Sequence, residues 1–305
     1  MPSSKSNPKP KPSIRLEFEA IGTQWAIDIQ ADASKVQSLA SLITARIKDF
    51  DRAYSRFRTD SLVAAMSRKA GAYMLPDDAQ PLLDLYVQMY QHTEGAVTPL
   101  VGQVLSDAGY DTHYSLRPKA LHQPPAWEEV LQYAYPVLEV SRPALLDFGA
   151  AGKGYLVDII AEILEDCGVA EYCVDAGGDM RCKSSQPMRI GLEDPADTGR
   201  VIGAVSLTNG AICGSSGNRR KWAGFNHIID PRTLQSPDTI AAVWAMAGSA
   251  MVADGMTTCL YFAGPDMLQQ YFSFEYVIIY TDRTVRASAG FPGELFTTGK
   301  GTLHA

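Results

Sequence analysis

The spacing of apolar residues changes from a period of two to a helical period near the start of the chain. Apolar residues at every second position within 14–30 predict a long strand or a hairpin. The helical spacing that follows predicts amphipathic helices at 34–54 and at about 77–93. Residues 107–127 contain several prolines and show neither period, so we expect an irregular connection there.

Short apolar runs bounded by polar residues or glycine dominate the second half of the chain. They predict strands near 171–176, 188–193, 201–207, 211–215, 241–247 and 276–281, and one that ends before Pro231. A short buried strand at 144–146 precedes a predicted helix at 155–167, and further helices are predicted at about 250–262 and after Pro265. Because helices are concentrated in the first half and strands in the second, the pattern favours an α+β fold over a doubly wound sheet.

Length, composition and charge narrow the class of protein. The chain has 305 residues, 46% of them hydrophobic, which is enough for a large core. We expect residues 1–13, which are polar and rich in proline, to be a flexible tail. We expect residues 14–305 to form a single domain that can comprise two subdomains with the ligand site between them. The net charge of −7 and the pI of about 5.3 argue against nucleic acid as a partner.

The sequence gives little indication of a membrane span, of an export signal or of disulfide bonds. The longest apolar stretch, 240–256, is interrupted by Gly248, Ser249 and Asp254, so it does not predict a membrane span. The tail has no apolar signal core and no lipoprotein-type cysteine after it, so we expect a cytoplasmic protein, or a periplasmic one if a leader has been removed. The five cysteines are odd in number, lack C-x-x-C spacing and are typical of reduced core thiols.

One predicted strand-to-helix corner combines an aspartate, glycines and a lysine. Asp147 ends the predicted strand, and Gly149, Gly152 and Gly154 lie at or before the helix start. Glycine lets the backbone approach a ligand closely, and the N–H groups of a helix N-terminus favour anions. Lys153 adds a point charge on a flexible side chain, while Asp147 offers an acceptor to a ring N–H. The corner therefore indicates a site for a ligand that carries phosphate.

Other interpretations of this corner remain open from the residues alone. The spacing is not that of a Walker A loop, because Gly154 stands where a magnesium-binding Ser or Thr would be needed. It does not match the G-x-G-x-x-G dinucleotide pattern either. A purely structural interpretation, in which the glycines serve a tight turn and Lys153 is solvated, competes with phosphate binding.

Two further stretches carry polar side chains beside apolar ones. His227 and Asp230 flank two apolar residues before Pro231, which indicates polar groups at the exit of a strand. Asp254 and Thr258 are separated by one helical turn, so both oxygens project from one face of the predicted helix. Such a pair can form part of the oxygen shell of Mg²⁺. His227 could equally be a core histidine, Asp254 a charge in the first turn of a helix, and Thr258 a packed side chain.

The order of these motifs resembles the FAD:protein FMN transferase family, the ApbE-like flavin transferases, over most of the chain. The looser matches are at 21–25, similar to M-G-T-x-W, at 54–61, similar to S-x-Y-x-x-x-S, and at 95–102, similar to G-A-F-D-P-T-V-G. The strongest are at 147–155, 175–179, 227–231 and 254–258, similar to D-x-G-x-x-A-K-G-Y, N-x-G-G-D, H-I-I-D-P and D-A-L-A-T. Gly152 stands where the family usually has alanine, and Phe57 lacks the hydroxyl of the usual tyrosine.

The resemblance implies a fold, a reaction and a partner. The fold would be α+β, with mixed, mainly antiparallel sheets flanked by helices in a T-fold-type architecture. The enzyme would bind FAD and Mg²⁺, break the pyrophosphate, release AMP and leave FMN attached through a phosphoester to a threonine of an acceptor flavoprotein. An FAD pyrophosphatase that gives free FMN and AMP, or an FAD-binding protein without turnover, is the alternative.

The resemblance also implies the residues of the site. The cofactor contacts it implies are Ile21 and Phe57 over the flavin ring, Gly95, Ala96 and Val97 near adenosine or flavin, and Asp147, Lys153, His227 and Ile228. The metal ligands it implies are the main-chain carbonyl of Ala150 and the side chains of Asp254 and Thr258. For catalysis, Lys153 would steady a phosphate, and His227, with the ordinary histidine pKa of about 6.5, would take the proton of the incoming threonine.

Overall fold

The computed structural model describes residues 13–217 and 221–296, together with the strand Leu303–His304. Its helices are α1 Ala33–Tyr54, α2 Leu62–Arg68, α3 Ala79–His92, α4 Gly102–Asp107, α5 Trp127–Val130, α6 Gly152–Asp166, α7 Ala250–Cys259 and α8 Pro265–Leu268. A 3₁₀ turn at Pro99–Val101 precedes α4. Apart from Ser13, which begins the first strand, the predicted tail lies outside the described residues.

The strands form one large sheet and two small ones. They are β1 Ser13–Ala20, β2 Thr23–Gln30, β3 Gly71–Met74, β4 Leu131–Ala134, β5 Val137–Val140, β6 Tyr172–Asp175, β7 Met180–Asp194, β8 Asp197–Ser216, β9 Lys221–Trp222, β10 Phe225–Asn226, β11 Ile240–Ala247, β12 Glu275–Tyr280, β13 Val285–Ala287, β14 Gly293–Leu295 and β15 Leu303–His304. The large sheet has the order β1-β2-β6-β7-β8-β11-β12-β13-β15, with β14 paired to β8, and the small sheets are β3-β5-β4 and β10-β9. Among the described strands, only β13 and β15 pair in parallel. The predicted α+β fold with mainly antiparallel sheets is confirmed.

The alternation at the start of the chain produces the hairpin of β1 and β2. Ala20 pairs with Thr23, so the turn consists of Ile21 and Gly22, with φ of 44° and 76°. Positive φ at both positions is typical of the tight hairpin turn whose twist matches that of the strands. A β-branched residue such as Ile21 rarely adopts this conformation, and such strain is concentrated at functional sites.

Several sequence predictions differ from the structure. The predicted strand at 144–146 is wrong, because the backbone N–H groups of Ala144 and Asp147 donate to Met66 and Pro99, which lie outside any sheet. The strands predicted at 201–207 and 211–215 are one continuous strand, β8. The strand expected before Pro231 is only the two-residue β10. Helix α2 and the β3-β5-β4 sheet were not predicted, since each is too short to establish a period.

Helices α6 and α7 pack against each other at Gly154. A Cβ on Gly154 would overlap the carbonyl oxygen of Ala250 and lie 2.7 Å from the Cβ of Asp254. A Cβ on Gly152 would meet only Phe148 and Phe50, at ordinary contact distances of 3.5 Å and 4.0 Å. Glycine is therefore required at position 154 by the close approach of the two helices, whereas position 152 has room for a methyl group.

We expect Gly154→Ala and Gly152→Ala to change stability in opposite directions. Gly154→Ala forces the two helices apart and should lower the free energy of unfolding by about 1–3 kcal/mol, as is typical of overpacked cores. Gly152→Ala restricts only the unfolded chain and should raise it by about 0.4–1 kcal/mol. Urea denaturation of both variants tests this. A loss at position 152 as large as the loss at position 154 would contradict the packing argument.

The structure has the large apolar core and the free cysteines that the sequence predicted. Buried residues of α1, α3, α6 and α7 and of the large sheet form one continuous apolar cluster. All five cysteines are free, and only Cys167 is not buried, as expected for reduced core thiols. Among the described residues, no helix is both long and apolar enough to cross a membrane.

Candidate functional site

A cavity of about 580 Å³ brings most of the predicted site residues together. Eleven of the twelve line it: Ile21, Phe57, Ala96, Val97, Asp147, Ala150, Lys153, His227, Ile228, Asp254 and Thr258. The remaining one, Gly95, is not a lining residue; it occupies a turn with φ of 81° beside the ring of Tyr90. The lining comes from both halves of the chain, so the fold creates the site by long-range contacts.

Lys153 lies in the first turn of α6 and faces a buried carboxylate. Its ammonium group is ion-paired with Asp179 and donates to the carbonyl of Ala176 at 3.2 Å. Burial disfavours the ammonium form, but the carboxylates of Asp179 and Asp254 more than offset this and raise the pKa of Lys153 above its ordinary value. Lys153 is therefore a fixed positive charge in the cavity wall at neutral pH.

Asp179, the partner of Lys153, was not assigned a role from the sequence, and it lies behind the cavity lining. Its place as the last residue of the 175–179 motif was the one sequence signal that could have found it. The residue is 1% exposed, and its Oδ1 has no hydrogen-bond partner among the described residues. A buried carboxylate oxygen without a partner is costly, so this oxygen can accept a further donor or a cation.

Asp254 and Thr258 lie on α7, one turn apart, as the sequence predicted. The Oδ2 of Asp254 accepts the backbone N–H of Gly154 at 2.9 Å. Burial, followed by the charge of Asp179, raises the pKa of Asp254 well above its ordinary value, and Lys153 opposes this. When both carboxylates are ionised beside the single lysine, this buried group carries an excess of negative charge, which a bound cation would offset.

These oxygens fit a divalent cation such as Mg²⁺, which prefers carboxylate, hydroxyl and carbonyl ligands. Within 13–217 and 221–296, no cluster of three or more His, Cys, Asp and Glu side chains could hold a metal. The candidate set therefore combines the side chains of Asp254 and Thr258 with the main-chain carbonyl of Ala150. A ligand that brings phosphate oxygens would complete such a shell.

Asp147 is held by an arginine that the sequence did not single out. Arg56, 4% exposed, is ion-paired with Asp147, and its Nη1 donates to the carbonyl of Tyr110 at 2.7 Å. The other carboxylate oxygen of Asp147 accepts the backbone N–H of Gly149 at 2.8 Å. Each oxygen keeps a second lone pair, so Asp147 can still accept a ring N–H from a ligand.

Aromatic side chains line the cavity beside this ion pair. The guanidinium of Arg56 lies 4.2 Å from the ring centre of Phe57. The rings of Phe57 and Tyr114 are parallel within 2°, with centres 5.3 Å apart, and Tyr110 contacts both edge-on. Tyr114 comes from the irregular connection and was not predicted, because nothing in its local pattern distinguishes it. The cluster offers flat apolar surface to a planar ring system.

His227 follows β10 in a turn that is held at both ends. The side-chain oxygen of Asn226 accepts the N–H of Ile228 at 2.7 Å, and the N–H of Asn226 donates to the hydroxyl of Ser236 at 2.9 Å. His227 is half-buried and lines the cavity, whereas the neighbouring Ile228 is 5% exposed. The imidazole thus lies where a ligand can reach it.

Comparisons with known proteins show which sequence family and which curated proteins this chain is similar to. The sequence model described as the ApbE family matches residues 21–278. The protein named FAD:protein FMN transferase from Klebsiella pneumoniae (strain 342) is 25% identical over 87% of this chain and 83% of its own length. The protein of the same name from Rhodobacter capsulatus is 26% identical over 84% of this chain and 53% of its own.

Two solved structures share the fold. The flavin transferase ApbE from Vibrio cholerae superposes with a TM-score of 0.77 at 23% identity, over 92% of this chain and 99% of that one. The ApbE protein of Thermotoga maritima gives a TM-score of 0.80 at 22% identity, over 91% of this chain and 97% of that one. At these identities the likeness establishes the architecture alone.

Proposed function

Since the chain belongs to the ApbE family, we propose that it transfers FMN from FAD to a threonine hydroxyl of an acceptor flavoprotein, with Mg²⁺, and releases AMP. The convergence of Lys153, Asp254 and Thr258 on one cavity carries this proposal. A cationic side chain and a set of oxygen ligands then face the same ligand, as cleavage of a diphosphate requires. We assign the reaction to one flavin transferase domain, with the FAD site between its two halves.

The reaction needs positioning and charge compensation more than covalent work from the protein. The threonine oxygen forms a bond to the phosphorus of the FMN half, the bond from that phosphorus to the bridging oxygen breaks, and AMP leaves with that oxygen. Lys153, which is ion-paired with Asp179, steadies one phosphate. A magnesium ion, held by Asp254, Thr258 and the Ala150 carbonyl, would supply charge compensation on the diphosphate. His227 takes the proton of the threonine hydroxyl.

The flavin ring occupies the aromatic side of the cavity in this proposal. Ile21 in the hairpin turn and Phe57 after α1 cover the ring, and Asp147 accepts a ring N–H. Arg56 fixes the orientation of Asp147 through their ion pair. Ala96 and Val97 line the same cavity, whereas Gly95, which lies outside the lining, would act only through the turn that holds them.

The mass of an acceptor protein tests this function. Incubation of the chain with FAD, Mg²⁺ and a threonine-bearing acceptor domain should give an acceptor heavier by one FMN. The same domain with its threonine replaced by alanine should stay unmodified. Free FMN and AMP without an adduct would instead indicate hydrolysis of FAD, and a yellow protein that leaves FAD intact would indicate a flavin-binding protein without turnover.

A further inference from the structure

A buried carboxylate outside the cavity connects the elements that carry the site. Asp158 on α6 is 4% exposed and does not line the cavity. Its Oδ1 accepts the backbone N–H of Ala250 at 2.8 Å and the Nη1 of Arg181 at 2.7 Å, and its Oδ2 accepts the N–H of Met251 at 2.8 Å. One side chain thus holds the start of α7 and a residue of β7.

These bonds provide α7 with an N-terminal cap from another helix. The first N–H groups of a helix have no partner within it, and a carboxylate there also interacts favourably with the helix dipole. Asp158 satisfies two of these groups, and the hydroxyl of Ser249 accepts a third from Val252 at 3.3 Å. Helix α7 spans only ten residues, Ala250–Cys259, and includes Gly255 and two threonines. A short helix of that composition depends on external contacts for its stability.

The position of Asp158 on α6 fixes where Asp254 lies. Gly154, one turn earlier on α6, donates its N–H to Asp254, which is one turn later on α7 than Ala250. The two helices are thus joined at two points, each a full turn from the other. Loss of the contact at Asp158 would let the start of α7 shift along α6. Asp254 and Thr258 would then move relative to Lys153.

We propose that Asp158 is a positioning residue for the cation ligands of the proposed transferase. It binds the first N–H groups of α7 and thereby fixes the position of this helix. The positions of Asp254 and Thr258 relative to Lys153 follow from that. Arg181 extends the same constraint to β7, which begins directly after Asp179, the partner of Lys153. The proposal rests on the function proposed above, because it needs a cation that Asp254 and Thr258 bind.

The test compares Asp158→Asn with a matched control, Glu165→Gln. Glu165 also lies on α6, accepts the hydroxyl of Tyr172 at 2.6 Å and pairs with Lys183 of β7 at 3.2 Å. Its described contacts do not include α7. Two measurements report the affinity for the cation. The first is a titration with Mn²⁺, in which electron paramagnetic resonance gives the concentration of free Mn²⁺. The second is the Mg²⁺ concentration that gives half-maximal FAD cleavage. Riboflavin fluorescence quenching reports on the ring side of the cavity.

We expect Asp158→Asn to weaken cation binding about 10- to 100-fold by both measurements, as is typical when the partner of a metal-binding group is changed. Riboflavin binding should stay unchanged, because Ile21 and Phe57 belong to other elements. Glu165→Gln should leave both cation constants unchanged. A residue with a merely structural role would lower the melting temperature without changing the cation constants of the folded protein.

The outcomes separate the two proposals. If the wild-type chain binds the cation and Asp158→Asn binds it equally well, the positioning role is overturned and the transferase proposal stands. If the wild-type chain neither binds Mn²⁺ nor cleaves FAD, the function itself fails, and the positioning role fails with it. Should Asp158→Asn lack native circular dichroism, Asp158→Glu carries the test, since it keeps the charge but moves the carboxylate by one methylene group away from the N–H groups of Ala250 and Met251. Unchanged cation constants in that variant would overturn the proposal.

Discussion

Asp254→Ala is expected to lower Mg²⁺-dependent cleavage of FAD about 10³-fold, a loss typical of removing a group that offsets charge in the transition state. Asp254 is the only carboxylate in the candidate ligand set, and no other lining carboxylate lies on α7. Some FAD should stay bound, because Lys153, Asp147 and the aromatic side chains that line the cavity remain. Cleavage is measured by the release of AMP, and FAD binding by flavin fluorescence.

The stability of this variant gives an independent check. Because burial and Asp179 raise the pKa of Asp254, its charged form is disfavoured in the folded protein without a cation. Its removal relieves that cost but leaves the N–H of Gly154 without this acceptor, so the free energy of unfolding in the absence of Mg²⁺ should fall by no more than the ~1–3 kcal/mol of an unsatisfied buried donor. A large loss of stability together with lost cleavage would indicate a structural role instead.

Two adjacent threonines on α7 test which side chains bind the cation. Thr258 lines the cavity, whereas Thr257 is 1% exposed and its hydroxyl donates to the backbone carbonyl of Asp254 at 2.7 Å. Thr258→Val should raise the Mg²⁺ requirement for cleavage, and Thr257→Val should not. Equal effects at the two positions, or full cleavage by Asp254→Ala, would contradict the assignment of the cation ligands.

His227→Ala is expected to retain FAD and Mg²⁺ and to lose FMN transfer by about 10²- to 10⁴-fold, the usual contribution of a general base. A base accepts a proton only when it is deprotonated, so transfer by the wild-type chain should rise with pH if His227 is the base. The variant should lack that rising limb. Added imidazole should restore part of the transfer. Acceptor mass as a function of time, measured across a pH series, gives both results.

His122 provides a control for this substitution. It is exposed in the irregular connection and does not line the cavity. His122→Ala should transfer FMN at the wild-type rate and keep the wild-type pH profile. If His227→Ala also keeps the rate and the profile, the proton goes to another acceptor, and the histidine is only part of the cavity wall.

The reliability of sequence prediction differed between long periodic segments and short ones. The alternation in 14–30 predicted a long strand or a hairpin, of which the structure has the hairpin of β1 and β2, and the helical spacing in 34–54 predicted α1 almost to its ends. The apolar run at 144–146 predicted a strand, because such a run indicates a buried segment without showing what its backbone pairs with. Its backbone hydrogen bonds instead go to Met66 and Pro99. Burial is encoded locally, whereas the hydrogen-bond partner of an extended segment is not.

What the sequence determined by itself was which residue types occur at which local spacing. It placed Asp254 and Thr258 on one helix face, put Lys153 at a strand-to-helix corner just before a helix predicted at 155–167, and ordered the motifs that identify the ApbE family. The structure begins this helix earlier, at Gly152, so that Lys153 lies in its first turn. These features follow from the period of a helix and from neighbours along the chain.

The tertiary structure alone decided how those residues are held. Arg56 pairs with Asp147 across 91 positions of the chain, Lys153 with Asp179 across 26, and the start of α7 is capped by Asp158 from 92 positions away. No local period encodes such pairs, because a buried ion pair or a shared cap depends on how helices and sheet pack in three dimensions. The site residues could therefore be named from the sequence, but the groups that hold them in place could not.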